Sequence, residues 1–203
     1  AAGSLEGGRT LEQEIGPELW GRLAATVDGT GLAPAALQFM KPWMAALTVA
    51  GLELARAGYQ PSAGLDLHLS QRARDSGKER LALETVEEQL GLFTGLSPEE
   101  SVAFLRSTLD ELETMGPLLD EVAASWRVGE VKPVEDLLGN EFSEFPELRE
   151  KMVAARNRAW LERIEALLAG ERDALVVVGA LHLVGPEGLV ALLRGRGYTV
   201  TQV

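Results

Sequence analysis

The chain has no cysteine, which excludes disulfides and thiolate metal sites. Cysteine-free proteins occur in cytoplasm and periplasm alike, so the compartment stays open. Histidine is almost as scarce, with two copies, His68 and His182. Aromatic residues make up 5% of the chain. Alanine and leucine supply the apolar content instead, a composition that leans towards helix. Basic residues are in short supply too: 19 Lys and Arg stand against 31 Asp and Glu, for a formal net charge of −12. That balance opposes wrapping nucleic acid or lying on an anionic membrane, and it favours cations without locating a site for them. No apolar run approaches the roughly 18 residues needed to span a bilayer. The nearest, residues 42–55, is short and soon followed by charge, so no transmembrane segment is expected. Residues 1–10 carry no signal-peptide pattern and read as a flexible start. Residues 11–203 read as a single domain, incomplete at its amino end.

Helical periodicity, in contrast, is abundant. Leu11, Ile15, Leu19 and Leu23 recur every four residues and mark one apolar stripe. A second helix is punctuated by Pro42 near its start and Gly58 past its end. Ser97-Pro98-Glu99-Glu100 is a capping box that opens a long helix, expected to break at Gly116-Pro117 and to resume as far as about Gly129. Another long helix is expected from Pro146 to Leu168. The pattern then changes. "ALVVVGA" at 174–180 is a β-branched run of the buried-strand kind, "RLALE" at 80–84 is a shorter one, and "YTVTQV" at 198–203 alternates. These features predict an α+β (or α/β) fold, predominantly helical, with a small and largely parallel sheet.

The chemistry gathers where that pattern changes. His182 comes after the 174–178 run in the connection to a helix, and Glu84 holds the equivalent place after 80–83. In open α/β sheets this carboxyl edge is where ligands bind. Glutamate and neutral imidazole both suit Zn, Mn or Co, so the pair can form part of a metal site. Gly179 and Gly185 are the expected turn residues of the motif. The plainer alternative is a histidine that merely hydrogen-bonds a neighbouring carbonyl at a strand end. A glutamate before a helix, likewise, is often a solvated partner of that helix's dipole. Arg156 and Asn157 stand in an otherwise amphipathic helix, where an arginine fork matches a carboxylate. His68 lies within a helical turn, at the surface or in packing.

The motif "GALHLVGPEGLVALLRGRGYTVTQV" at 179–203 resembles the closing segment of the TraB/GumN/Tiki family. Other marks of that family occur in order along the chain. They are Lys41-Pro42-Trp43, Gly64-Leu65-Asp66, Gly77-Lys78, "LET" at 83–85 with Gln89, and Arg156-Asn157 with Trp160 nearby. The resemblance implies a core like that of the ChaN and erythromycin-esterase group. In the Tiki branch it implies metal-dependent proteolysis at a site built from two Gly-x-x-His motifs and acidic residues. By that resemblance His182 corresponds to the second histidine, and Glu84 and Arg156 to polar positions of the central block and the Arg-Asn helix. The family's opening Gly-x-x-His strand and a subsequent glutamate-bearing strand have no counterpart here, since Leu65 stands where His68 would need a glycine. The chain is therefore expected to lack an amino-terminal segment of about sixty residues, two β-α units.

The resemblance carries two functional expectations. The first is a metal-dependent, peptidase-like hydrolase using Mn, Co or Zn. His182 and Glu84 would be its ligands, Arg156 would share in catalysis and anchor the substrate, and Asn157 would bind substrate; this chain alone would be weakly active at most. The second is a non-enzymatic protein that binds a peptide or small signal molecule in the same cleft, as the family's pheromone-shutdown branch suggests. Periplasm or cell envelope is the compartment implied by resemblance. A homo-oligomer or domain swap is expected wherever sheet edges are left uncovered.

Overall fold

The computed structural model describes residues 2–141 and 146–203, without the side chains at 113–115, 138–141 and 146. Helices dominate: α1 Leu11–Val27, α2 Pro42–Arg56, α3 Leu65–Asp75, α4 Val86–Thr94, α5 Pro98–Val128, α6 Lys132–Glu141, α7 Pro146–Arg149, α8 Ala155–Leu168 and α9 Leu189–Gly195. A π-helical turn, Glu150–Ala154, joins α7 to α8. No described helix is long and apolar enough to cross a membrane. The described residues form two compact units. One comprises residues 1–63 and 86–118, the other residues 64–85 and 119–203.

In the first unit the periodic stripe becomes the core. Leu11, Ile15, Leu19, Leu23 and Val27 of α1 are buried with Ala45, Ala46 and Val49 of α2 and Leu105, Leu109 and Leu112 of α5. Removing each such leucine from water stabilises the fold by about 2 kcal/mol. Thr10 and Gln13 close a capping box that starts α1, and Gly16 kinks it with φ 81° and ψ 161°. Pro17 disfavours helical backbone at the residue before it, and glycine alone enters the region used instead. Ser97 and Glu100 form the expected box at the head of α5, with Ser97 N–H donating to Glu100 Oε2 at 2.7 Å. Gly3 to Leu5 hydrogen-bond the backbone of 39–41, with Leu5 N–H donating to Phe39 O at 2.8 Å and Lys41 N–H to Gly3 O at 2.8 Å.

The second unit corrects the expected fold class. The chain is helical, and no strand or sheet exists among the described residues; one isolated antiparallel bridge, Ser4 to Met40, is all the β pairing they contain. The 174–178 run is extended and does alternate. Val176 and Val178 pack against Trp160, Ile164 and Leu189, whereas Leu175 is 76% exposed and Val177 37% exposed. Its backbone nevertheless makes no ladder with 80–84 or with 198–203. The tail is held otherwise, by Arg194 donating to Val200 O at 2.9 Å and Gln202 Nε2 donating to Gly129 O at 2.6 Å. β-branched composition fits a pleated surface but does not supply the neighbour that makes it a strand. Another correction concerns α5, which passes through Gly116-Pro117 without ending. A proline removes one helical hydrogen bond, a loss that a long helix packed elsewhere along its length can absorb.

Candidate functional site

Within the second unit, Glu84, Arg156, Asn157, Trp160 and His182 come together. Arg156 and Trp160 lie one helical turn apart on α8, so they share a face. The guanidinium carbon sits 4.7 Å from the Trp160 ring centroid. Behind it, Arg156 Nη1 donates to Met152 O at 2.9 Å, on the π turn where Ala155 N–H reaches back five residues to Glu150 O. In front, Arg156 forks onto Glu84, with Nη2 to Oε1 at 2.6 Å and Nε to Oε2 at 3.0 Å. The two side chains are 18% and 17% exposed, so the pair is shielded but reachable. Glu84 comes from the irregular stretch 78–85, whose backbone Arg163 holds by donating to Leu83 O at 2.7 Å.

His182 sits in a short 3-10 turn, Ala180–His182, and is buried against Trp160 with ring centroids 4.5 Å apart. Its Nε2 lies 3.3 Å from Arg156 Nη1, and its Nδ1 lies 2.8 Å from Asn157 Oδ1. A guanidinium can only donate, so Nε2 carries the lone pair and Nδ1 carries the proton that Asn157 accepts. The Asn157 amide is oriented by its other end, where Nδ2 donates to His182 O at 3.2 Å and Glu187 O at 2.8 Å. Burial and the Arg156 charge lower the His182 pKa from 6.5 to about 4, against the opposing pull of Glu84. The imidazole is therefore neutral at physiological pH.

Every residue singled out from the sequence thus has a place. Glu84 and His182 are neighbours, linked through Arg156 and not along the rim of a sheet. Asn157, expected to contact substrate, is fully buried with its amide spent on the His182 turn, so it positions the imidazole instead. Gly185 has a left-handed φ of 76°, whereas Gly179 has ordinary backbone with φ −59°. His68 is exposed on α3, away from any such cluster. Sequence reasoning noted Trp160 only as a family mark beside Arg156-Asn157 and missed the Met152 carbonyl. The signal for Trp160 was its four-residue spacing from Arg156, which puts both on one helical face.

As metal donors, His182 Nε2 and Glu84 are of the right chemical kind. Among the described residues there is no group of three or more His, Cys, Asp or Glu side chains that could hold a metal ion. Arg156 also puts a positive charge against both donors.

The sequence profile of the TraB/PrgY/gumN family matches residues 1–202. The chain is 28% identical over 184 residues to the uncharacterized protein YbaP of Escherichia coli (strain K12), covering 91% of this chain and 68% of that protein. It is 27% identical over 164 residues to a metalloprotease TIKI homolog of Amphimedon queenslandica, covering 68% of this chain and 32% of the relative. Metalloprotease TIKI2 of Danio rerio is 25% identical over 165 residues, again with 32% of its length covered. No solved structure matches the chain. The match of the family's profile over residues 1–202 leads to one conclusion: the chain belongs to the TraB/PrgY/gumN family.

Proposed function

We propose that this chain carries the working cluster of a TraB-like hydrolase acting on peptides, with His182, Glu84 and Arg156 at its centre. The observation that supports this most is a neutral imidazole whose Nε2 lone pair is fixed, by Asn157 behind and Arg156 in front, one side chain away from a carboxylate. A pKa of about 4 suits a ligand better than a general base, because base catalysis is most effective when the pKa approaches the working pH. The TIKI relatives, named metalloproteases, support peptide as the substrate class.

His182 and Glu84 are the residues that would hold a divalent metal such as Mn, Co or Zn. They offer two donors, where catalytic zinc takes three protein ligands, so they fit as part of a set. A metal bound there supplies a water of lowered pKa and polarises a carbonyl. The chain's own residues do the rest. Asn157 keeps the proton on Nδ1, so that Nε2 stays the donor. Arg156, placed over the Trp160 ring, orients substrate through a carboxylate. To test this reading, peptide hydrolysis is measured with added Mn, Co or Zn and with chelator. Cleavage that chelator abolishes and that His182→Ala reduces at least a hundredfold is expected. Cleavage unaffected by either contradicts it.

One observation favours a second reading. The guanidinium already lies against both donors, as it would in a protein that binds a peptide or signal molecule without cleaving it. Such a protein holds its ligand intact, and equally tightly, in the presence of chelator.

A further inference from the structure

The pairing of Glu84 with Arg156 carries a ligand class of its own. The receptor half is anchored: Arg156 sits on α8, its guanidinium carbon lies 4.7 Å from the Trp160 ring centroid, and its Nη1 donates to Met152 O. That leaves one edge, Nε with Nη2, facing Glu84 in the fork that matches a carboxylate. The occupant half lies outside regular structure. Glu84 stands outside any helix, with the backbone beside it tethered by Arg163. Its carboxylate is held by the Arg156 fork, through Oε1 at 2.6 Å and Oε2 at 3.0 Å. Rotation of that side chain alone would clear the fork.

Resting on the hydrolase reading, we infer that Glu84 is an internal stand-in for a ligand carboxylate, and that the Arg156–Trp160 platform binds the free α-carboxylate of a peptide by exchanging it for Glu84. The exchange replaces two charge-assisted hydrogen bonds with two of the same kind. It also releases the Glu84 carboxylate beside His182 at the moment the ligand arrives. In a chain of net charge −12 the long-range field repels an anion, so recognition relies on this short-range fork. The fork is open to the ligand only for the fraction of time Glu84 is turned away, and apparent affinity is reduced by that fraction.

The test is calorimetry on the 203-residue chain with N-acetyl-Ala-Ala as the free acid and as its carboxyl-terminal amide, in chelator so that no cleavage intervenes. The wild-type chain is expected to prefer the acid. Glu84→Gln is expected to tighten acid binding by about tenfold, because the internal competitor is gone. Glu84→Asp, shorter by one methylene and still charged, is expected to give a smaller gain in the same direction. Arg156→Lys keeps the charge without the fork and is expected to lose acid binding. Equal binding of acid and amide, or no gain in acid binding in either Glu84 variant, overturns the inference. Should Glu84→Gln fail to fold by circular dichroism, the Glu84→Asp comparison decides alone. Because binding is read without turnover, a chain that cleaves nothing can still pass, which separates this inference from the hydrolase reading.

Discussion

At the residue scale the decisive group is His182. Its two ring nitrogens have different neighbours, an amide oxygen and a guanidinium, and only one tautomer satisfies both. Burial next to Arg156 also gives it a pH signature. The native imidazole stays unprotonated down to about pH 4, whereas in the unfolded chain it takes a proton near its ordinary 6.5. Between those values the unfolded state binds more protons, so stability is complete above about pH 6.5 and is lost as pH falls towards 4. The loss is expected to reach roughly 3 kcal/mol. Urea denaturation at pH 7 and pH 4.5 measures it, with His182→Gln as the reference in which this part of the slope disappears. Equal slopes in both chains contradict the assignment. Of these features the sequence shows only that a lone histidine comes after an apolar run. The Asn157 contact was hidden because its direction depends on how α8 packs, which no local pattern encodes.

At the level of elements, most expected helices hold and the expected sheet does not, for one physical reason. A helix closes its hydrogen bonds within itself, so the four-residue recurrence in α1, the Pro42 and Gly58 boundaries of α2 and the Ser97 box of α5 are local statements that the structure keeps. A strand is a relation between distant segments. The 174–178 run has the composition and the alternation, with Val176 and Val178 inward and Leu175 outward, yet no ladder partner. Hydrogen exchange distinguishes the two situations. Amides of 175–178 are expected to exchange almost without protection while those in the middle of α8 are slowed by orders of magnitude. Comparable protection in the two segments contradicts the helical, sheet-free description. The break expected at Gly116-Pro117 failed for a related reason, since the course of the chain beyond a proline depends on the packing that holds the next turn.

For the whole molecule, the candidate site is an assembly of stretches far apart in sequence. Residue 84, the 152–160 segment and residue 182 meet within one compact unit, joined through a guanidinium that touches a carboxylate on one side and an imidazole on the other. The sequence placed the carboxylate and the imidazole at equivalent positions after apolar runs, and singled out the arginine as a fork for a carboxylate on an otherwise amphipathic helix. That the arginine lies between them required the three-dimensional arrangement. Nitrogen-15 NMR of His182 tests this directly, and only His68, exposed on α3, shares the histidine spectrum. At pH 7, His182 is expected as one fixed tautomer with Nδ1 protonated and Nε2 bare, and Asn157→Leu is expected to release it. Averaged nitrogen shifts for His182, indifferent to Asn157→Leu, would contradict this placement of the imidazole.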